Sequence, residues 1–75
     1  MYIVITGGGM VGGGLVRMLL DNKHDVVLVE QNKEICDKLY AETGVVAING
    51  SATSIEALNE AGINKADVLV AATGQ

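Results

Sequence analysis

Tyr-Ile-Val-Ile-Thr-Gly-Gly-Gly-Met-Val-Gly, residues 2–12, starts this 75-residue chain with a β-branched run and a Gly-x-Gly-x-x-Gly turn. The run predicts a strand over 2–6, because β-branched residues favour extended backbone. Apolar residues recur at helical spacing after the turn and predict a helix over 11–21. Asn22 can adopt the left-handed conformation that ends a helix. This part of the chain is therefore expected to form a strand–turn–helix unit.

The second apolar run, residues 25–30, ends in an acidic residue. Glu30 follows the glycines by about 20 residues, the spacing of a βαβ unit that binds a dinucleotide. In such a unit Gly7 allows a tight turn, Gly9 lets a pyrophosphate approach the backbone, and Gly12 lets the helix pack closely. Glu30 is placed to accept hydrogen bonds from ribose hydroxyls, and its charge disfavours the 2′-phosphate of NADP. The alternative is a glycine turn that only shapes the sheet and binds no ligand.

The rest of the chain continues the alternation of helix and strand. The predicted elements are a helix capped by Gln31 or Asn32 and ended by Gly44, a strand over 45–48, a helix that begins with a Thr53–Glu56 capping box and ends at Gly62, and a strand over 67–72. Ile55, Leu58 and Ala61 are expected on the buried face of the third helix.

This βαβαβαβ order predicts an α/β, Rossmann-like fold with a parallel sheet in the order 3-2-1-4. The first two helices should cover one face of the sheet and the third helix part of the other. A single nucleotide-binding domain is expected over 1–75, forming an incomplete half of a doubly wound domain. The fourth strand would be an apolar edge, which suggests a fragment or an obligate oligomer.

Composition narrows the function classes. The formal charge is −4 and no basic stripe is present, which argues against nucleic acid as a partner. The apolar runs have the length of strands, too short to span a membrane. The sequence begins with strand residues and has no charged n-region, so we expect no secretory signal, and its one cysteine suits a reducing compartment. We therefore expect a cytoplasmic protein.

Four stretches of the chain resemble one known family. They are the glycine stretch 2–12, His-Asp-Val-Val-Leu-Val-Glu at 24–30, Asn-Gly-Ser-Ala-Thr at 49–53, and Ala-Asp-Val-Leu-Val-Ala-Ala-Thr at 66–73. Together they resemble the amino-terminal half of an RCK domain, also called KTN or TrkA-N. These domains are the cytosolic nucleotide-binding modules of potassium channels and Trk/Ktr transporters.

The resemblance implies a regulatory subunit or domain that controls potassium transport. It implies self-association as a dimer or higher oligomer, and a membrane potassium channel or transporter subunit as partner at the inner face of the membrane. The implied ligand is an adenine nucleotide: NAD or NADH first, with AMP, ADP or ATP as alternatives.

The resemblance also carries site residues onto this chain. Ala52 and Thr53 would lie near the adenosine, and Thr73 would border the nucleotide from the fourth strand. Family members often have arginine where Met10 stands and aspartate where Ser51 stands. The missing arginine shifts the expected preference from triphosphates toward NAD or AMP. The full set of predicted nucleotide contacts is Gly7, Gly9, Met10, Val11, Gly12, Glu30, Gln31, Ser51, Ala52, Thr53 and Thr73.

Two rival functions stay open from the sequence. One is the cofactor-binding half of an NAD-dependent dehydrogenase, which would need a general acid–base residue that no motif here supplies. The other is a dimerisation module with no affinity for nucleotides. No single residue favours either rival function. We interpret His24 as a turn residue and Cys36 as a packing thiol. Arg17 is interpreted as a solvated helix residue, with phosphate contact as the lesser alternative. No catalytic constellation occurs in these residues, so we do not predict an enzyme. No Cys/His cluster or pair of histidines occurs either, so we predict no metal site.

Overall fold

The computed structural model describes residues 1–72, in which strands and helices alternate. The elements are β1 (Tyr2–Thr6), α1 (Met10–Asp21), β2 (Asp25–Glu30), α2 (Lys33–Thr43), β3 (Val46–Asn49), α3 (Ile55–Glu60), a 3₁₀ helix (Ile63–Lys65) and β4 (Val68–Ala71). All strand pairs are parallel, and the order is β3-β2-β1-β4. The predicted Rossmann-like topology is confirmed.

Helices cover the two faces of the sheet as expected. On the face covered by α1 and α2, the buried cluster contains Ile3, Ile5, Val16, Val26, Leu28, Leu39 and Val45. On the α3 face it contains Val4, Val27, Val29, Ala57 and Ala61. β2 is buried from its second residue to its last, because it lies between β1 and β3 with helices on both faces. That position explains why its sequence is continuously apolar rather than alternating.

The end of α1 differs from the prediction. Asn22 has φ −93° and caps the helix, whereas Lys23 adopts the left-handed conformation, with φ 65°. The Lys23 amide donates to the Leu20 carbonyl, and the His24 amide donates to the Leu19 carbonyl. These two bonds form a Schellman motif, in which the left-handed residue follows the C-cap.

The start of α3 also differs. Ser54, not Thr53, is the N-cap, and its side chain accepts a hydrogen bond from the Ala57 amide at 3.1 Å. The shift by one residue turns the helix, so Ile55 is 74% exposed and Ala57 is buried. The Thr53–Glu56 capping box and the buried position of Ile55 were therefore wrong predictions, whereas Gly62 follows the helix with φ 81° as expected.

Both bounds of β3 and both bounds of β4 differ by one residue from the predicted ones. β3 begins at Val46, and Val45 instead packs under α2. Asp67 precedes β4, where its amide donates to the Tyr2 carbonyl and its carboxylate accepts from the Tyr2 amide, both at 2.8 Å. Asp67 is therefore the entry residue that aligns β4 with β1. The 3₁₀ helix before it has no counterpart in the sequence prediction.

Within residues 1–72, no helix is long and apolar enough to cross a membrane.

Candidate nucleotide-binding site

An open cleft of about 470 Å³ lies at the carboxyl ends of the strands. Its lining includes the predicted residues Gly7, Gly9, Met10, Val11, Glu30, Gln31 and Ala52, together with Val29, Ile35 and Ala72. The last three were missed by the sequence analysis. Val29 and Ala72 lie at strand ends next to predicted positions, so the rule that ligands bind at the carboxyl ends of parallel strands could have found them.

The glycine turn has a geometry that lets a ligand approach its backbone closely. Gly7 has φ 95°, a conformation that L side chains rarely adopt, and its amide donates to the Val29 carbonyl at 2.9 Å. Among residues 1–72, a Cβ at Gly9 would meet no atom within 4 Å beyond its chain neighbours. The space over Gly9 is thus open to the cleft, with no side chain of the described residues between a ligand and the backbone.

Gly12 does not line the cleft but holds the turn against the helix. A Cβ built on Gly12 would lie 1.8 Å from the Gly7 carbonyl oxygen, a contact that only glycine permits. Gly8, to which the sequence analysis gave no role, is enclosed less tightly, with side-chain atoms of Ile35 and Leu39 at 3.0 Å from its Cβ position.

The start of α1 has no cap of its own. Gly9 is the N-cap and offers no side-chain hydrogen bond, and the first turn contains no acidic residue. By contrast, Asn32 caps α2 with Glu34 in the first turn, and Ser54 caps α3 with Glu56 in the first turn. The first amides of a helix lack intrahelical partners and carry the positive end of the helix dipole. At α1 these amides border the cleft.

Glu30 lies in the cleft wall with a side chain that is almost fully buried. The residue is 8% exposed, and one carboxylate oxygen accepts from the Gly8 amide at 2.6 Å. The other oxygen accepts from the Asn32 amide at 2.8 Å. A carboxylate oxygen can accept more than one hydrogen bond, so both oxygens keep capacity for ligand hydroxyls.

Cys36 packs behind this wall. Its Sγ donates to the Glu30 carbonyl at 3.3 Å, and the residue is 5% exposed. Burial, and then the charge of Glu30, raise the pKa of the Cys36 thiol above its ordinary value. This environment supports the interpretation of Cys36 as a packing residue.

The β3–α3 loop brings only one of its predicted contacts to the cleft. Ala52 lines it, whereas the hydroxyls of Ser51 and Thr53 lie 2.8 Å apart and bond to each other. Ser51 Oγ also accepts from the Thr53 amide at 3.1 Å. These two side chains therefore brace the loop in this structure. The predicted contact Thr73 lies outside the described residues.

Among residues 1–72, no cation lines the cleft, and Glu30 is the one charged residue of this part of its wall. Arg17 pairs with Glu42 of α2, an exposed ion pair, and Lys33 pairs with Asp37 at 3.1 Å. The ion pair with Glu42 leaves the alternative role of Arg17 as a phosphate ligand without support. Residues 1–72 contain no group of three His, Cys, Asp or Glu side chains placed to hold a metal ion.

His24 lies at the other end of the sheet from the cleft. It precedes β2, whereas Glu30 ends that strand, and its Nδ1 lies 3.3 Å from the amino terminus of Met1. This agrees with the interpretation of His24 as a turn residue.

Comparison with known proteins connects this geometry to a family. The TrkA-N domain family matches residues 3–75. A Trk system potassium uptake protein TrkA homolog of Methanothermobacter thermautotrophicus is 46% identical over 74 residues, which are 99% of this chain and 34% of the relative. A homolog of the same name from Archaeoglobus fulgidus is 43% identical over 99% of this chain and 16% of its own length. The Trk system potassium uptake protein TrkA of Vibrio alginolyticus is 37% identical over 97% of this chain and 16% of its own length. The chain thus spans about a third or less of these relatives, and it belongs to the TrkA-N domain family.

Proposed function

We propose that this chain binds an adenine nucleotide in the cleft and thereby regulates a Trk-type potassium uptake system. TrkA-N is a nucleotide-binding domain family, and curated relatives are named as potassium uptake proteins rather than as enzymes. The observation that carries the proposal is the uncapped start of α1 facing the same cleft as Glu30. One feature suits a phosphate and the other suits a ribose, in the arrangement that a dinucleotide fold uses.

The contacts of the bound nucleotide follow from these features. Its phosphates would lie over Gly9, where no side chain intervenes, and accept hydrogen bonds from the first amides of α1. Its ribose hydroxyls would donate to Glu30, and its base would lie toward Ala52. A 2′-phosphate would meet the Glu30 carboxylate, so NADP should bind more weakly than NAD.

The charge of the cleft supports a choice among nucleotides. As far as the structure describes the lining, it offers Glu30 and no cation, and Met10, which is 95% exposed, adds no charge beside the phosphate position. Backbone amides and a helix dipole stabilise an anion by less than a lysine or arginine in direct contact does. We therefore propose NAD, NADH or AMP as the preferred ligand over ADP and ATP.

The regulatory role rests on the relatives. A protein of this kind would act at the inner face of the membrane on a potassium channel or transporter subunit, as a dimer or larger assembly. The dehydrogenase alternative gains nothing from the cleft, whose acidic residue already accepts two backbone hydrogen bonds. Glycines and aliphatic side chains make up most of the remaining lining, and they supply no general acid or base.

Calorimetric titration with NAD, NADH, AMP, ADP, ATP and NADP tests the proposal. The informative variant is Gly9→Ala, because its methyl group contacts no atom of the described part of the chain but enters the space assigned to phosphate. We expect an affinity loss of about tenfold or more, equivalent to about 1.4 kcal/mol. Gly14→Ala is the matched control, because Gly14 also has open space around it and lies outside the cleft lining.

Binding that weakens in Gly9→Ala but not in Gly14→Ala supports the site. Equal affinities of both variants and the parent chain would place the ligand elsewhere. A parent chain that binds none of the six nucleotides would refute the proposal and favour a glycine turn with only a structural role.

A further inference from the structure

Asn49 ends β3 beside Glu30, and its side chain reaches across to β2. The two residues are partners in the parallel register. The Asn49 Nδ2 group donates to the Glu30 carbonyl at 3.1 Å and to the Gln31 carbonyl at 2.9 Å. Both acceptors belong to residues that line the cleft, whereas Asn49 does not line it. One side-chain amide thus holds two consecutive carbonyls at the point where β2 leaves the sheet.

The main chain of Glu30 is held from two elements at once. Besides Asn49, the Gly50 amide donates to its carbonyl at 3.0 Å, and Cys36 Sγ does so at 3.3 Å. The Gln31 carbonyl, by contrast, accepts a single hydrogen bond among residues 1–72, and its donor is the Asn49 side chain. The direction of the chain between Glu30 and Asn32 therefore depends on the Asn49 amide.

That direction determines where the Glu30 carboxylate lies. Its two oxygens accept from Gly8 in the glycine turn and from Asn32 at the cap of α2. The Gln31 carbonyl, which Asn49 holds, and the Asn32 amide belong to one planar peptide group. A rotation of this peptide would move the Asn32 amide and release one of these oxygens. Hydrogen-bond partners behind a ligand-binding side chain fix its orientation even when they do not touch the ligand.

We propose that Asn49 is a positioning residue of the nucleotide site: it fixes the turn after β2 so that the Glu30 carboxylate meets the ribose. This inference rests on the proposed function. Its effect should be largest at the ribose, because the phosphate position over Gly9 is built mainly by the glycine turn and α1. Loss of Asn49 should therefore weaken ligands that carry both ribose hydroxyls more than it weakens their 2′-deoxy analogues.

The test compares Asn49→Ala with the parent chain in two measurements. The first is the affinity for AMP and for 2′-deoxy-AMP, by calorimetry. The second is the amide proton shift of Gly8 in the free chain, by NMR, because this amide is bound to the Glu30 carboxylate. Asn64→Ala is the control, since Asn64 is exposed and lies in the 3₁₀ helix before β4, at the amino ends of the strands, whereas the cleft lies at their carboxyl ends.

We expect Asn49→Ala to lose about two- to tenfold in AMP affinity, the range of one or two ordinary hydrogen bonds. Its affinity for 2′-deoxy-AMP should change less, and the Gly8 amide should move upfield as its bond to Glu30 weakens. Asn49→Asp keeps the shape of the side chain but loses the donor, so it should show the same pattern. Asn64→Ala should match the parent chain in every measurement.

Equal losses for both ligands, with an unmoved Gly8 amide, would overturn the inference and leave Asn49 as a structural tie. A parent chain that binds neither AMP nor any of the other five nucleotides refutes the proposed function instead. In that case the Gly8 shift alone decides whether Asn49 positions the carboxylate, and an unmoved shift overturns the inference there too.

Discussion

The backbone amide of Gly8 donates a 2.6 Å hydrogen bond to the buried carboxylate of Glu30. This bond joins the turn after β1 to the end of β2, so the two halves of the candidate site are connected before any ligand arrives. The second carboxylate oxygen accepts from the Asn32 amide and connects the cap of α2 to the same point. Glu30 is therefore both a wall of the cleft and a structural centre of the carboxyl edge of the sheet.

The structural role of Glu30 predicts that Glu30→Ala destabilises the chain without any nucleotide present. The substitution leaves the buried Gly8 amide without its acceptor, and the expected loss is about 2–3 kcal/mol in the free energy of unfolding. Urea unfolding measures it. Glu34→Ala, which removes an exposed acid from the first turn of α2, should lose less than about 1 kcal/mol. Equal midpoints for the parent chain and Glu30→Ala would contradict this role.

The glycine turn predicts opposite effects of the same substitution at two positions of α1. Gly12→Ala would place a methyl group 1.8 Å from the Gly7 carbonyl oxygen, forcing the helix away from the turn. We expect a loss of about 3 kcal/mol, at the upper end for overpacking. Gly14→Ala meets no atom within 4 Å and should gain up to about 1 kcal/mol from helix propensity. Thermal unfolding of both variants checks the signs, and a stabilised Gly12→Ala would show that the turn can relax.

The strands and the glycine turn were predictable because each has a local physical cause. The continuously apolar β2 reflects burial on both faces, and the spacing from Gly7 to Glu30 reflects the geometry of one βαβ unit. Helix ends were less predictable, because neighbouring polar residues compete for each cap. Ser54 rather than Thr53 is the N-cap of α3, because the Thr53 hydroxyl bonds Ser51 instead. With this N-cap, Ile55 lies on the exposed face of the helix.

The details of the site depended on contacts between distant segments. The sequence marked Glu30 as a ribose ligand, but its bond to Gly8 spans 22 residues and no local pattern predicts it. The same holds for Asn49, whose side chain reaches residues 18 and 19 positions away. Such bonds become visible only once the parallel register of the sheet is known.

The end of α1 predicts a stabilising substitution. Lys23 has φ 65°, and a Cβ in the left-handed region costs about 1–2 kcal/mol relative to glycine in the folded chain. Lys23→Gly should gain about 0.5–1 kcal/mol after the larger backbone entropy of glycine in the unfolded chain is counted. Lys38→Gly, the same change inside α2, should lose about 1 kcal/mol. Urea unfolding that gave both variants the same sign would show that Lys23 is not strained.

The buried thiol predicts both slow reactivity and a pH effect. Burial and the charge of Glu30 raise the pKa of the Cys36 thiol, so in the native chain it should react with a disulfide reagent far more slowly than in urea. The contribution of Cys36 to stability is fully present below the pKa of the unfolded thiol, about 8.5, and is lost as pH rises through the higher folded value. Urea midpoints should therefore fall less above about pH 8.5 in Cys36→Ala than in the parent chain. A native thiol that reacts as fast as the unfolded one would contradict the burial.

The two edges of the sheet predict self-association. β4 pairs with β1 alone among the described strands, and Leu69 in it is 51% exposed. β3 forms the other edge, where Val46 is 58% exposed. Unpaired amides and carbonyls beside apolar side chains are a template for pairing with another chain, and lysine on an edge strand opposes such pairing.

Lysine substitutions locate the edge that associates. Sedimentation velocity over a range of concentrations should show that the parent chain associates. Leu69→Lys should reduce this association if β4 is the contact, and Val46→Lys should reduce it if β3 is the contact. Ile55→Lys is the control, because Ile55 is also apolar and 74% exposed but lies on α3 and belongs to neither edge strand. A parent chain that stays monomeric at high concentration would rule out edge pairing. If Ile55→Lys alone reduced association, the contact would lie on the outer face of α3, because this substitution leaves the edge strands β3 and β4 unchanged.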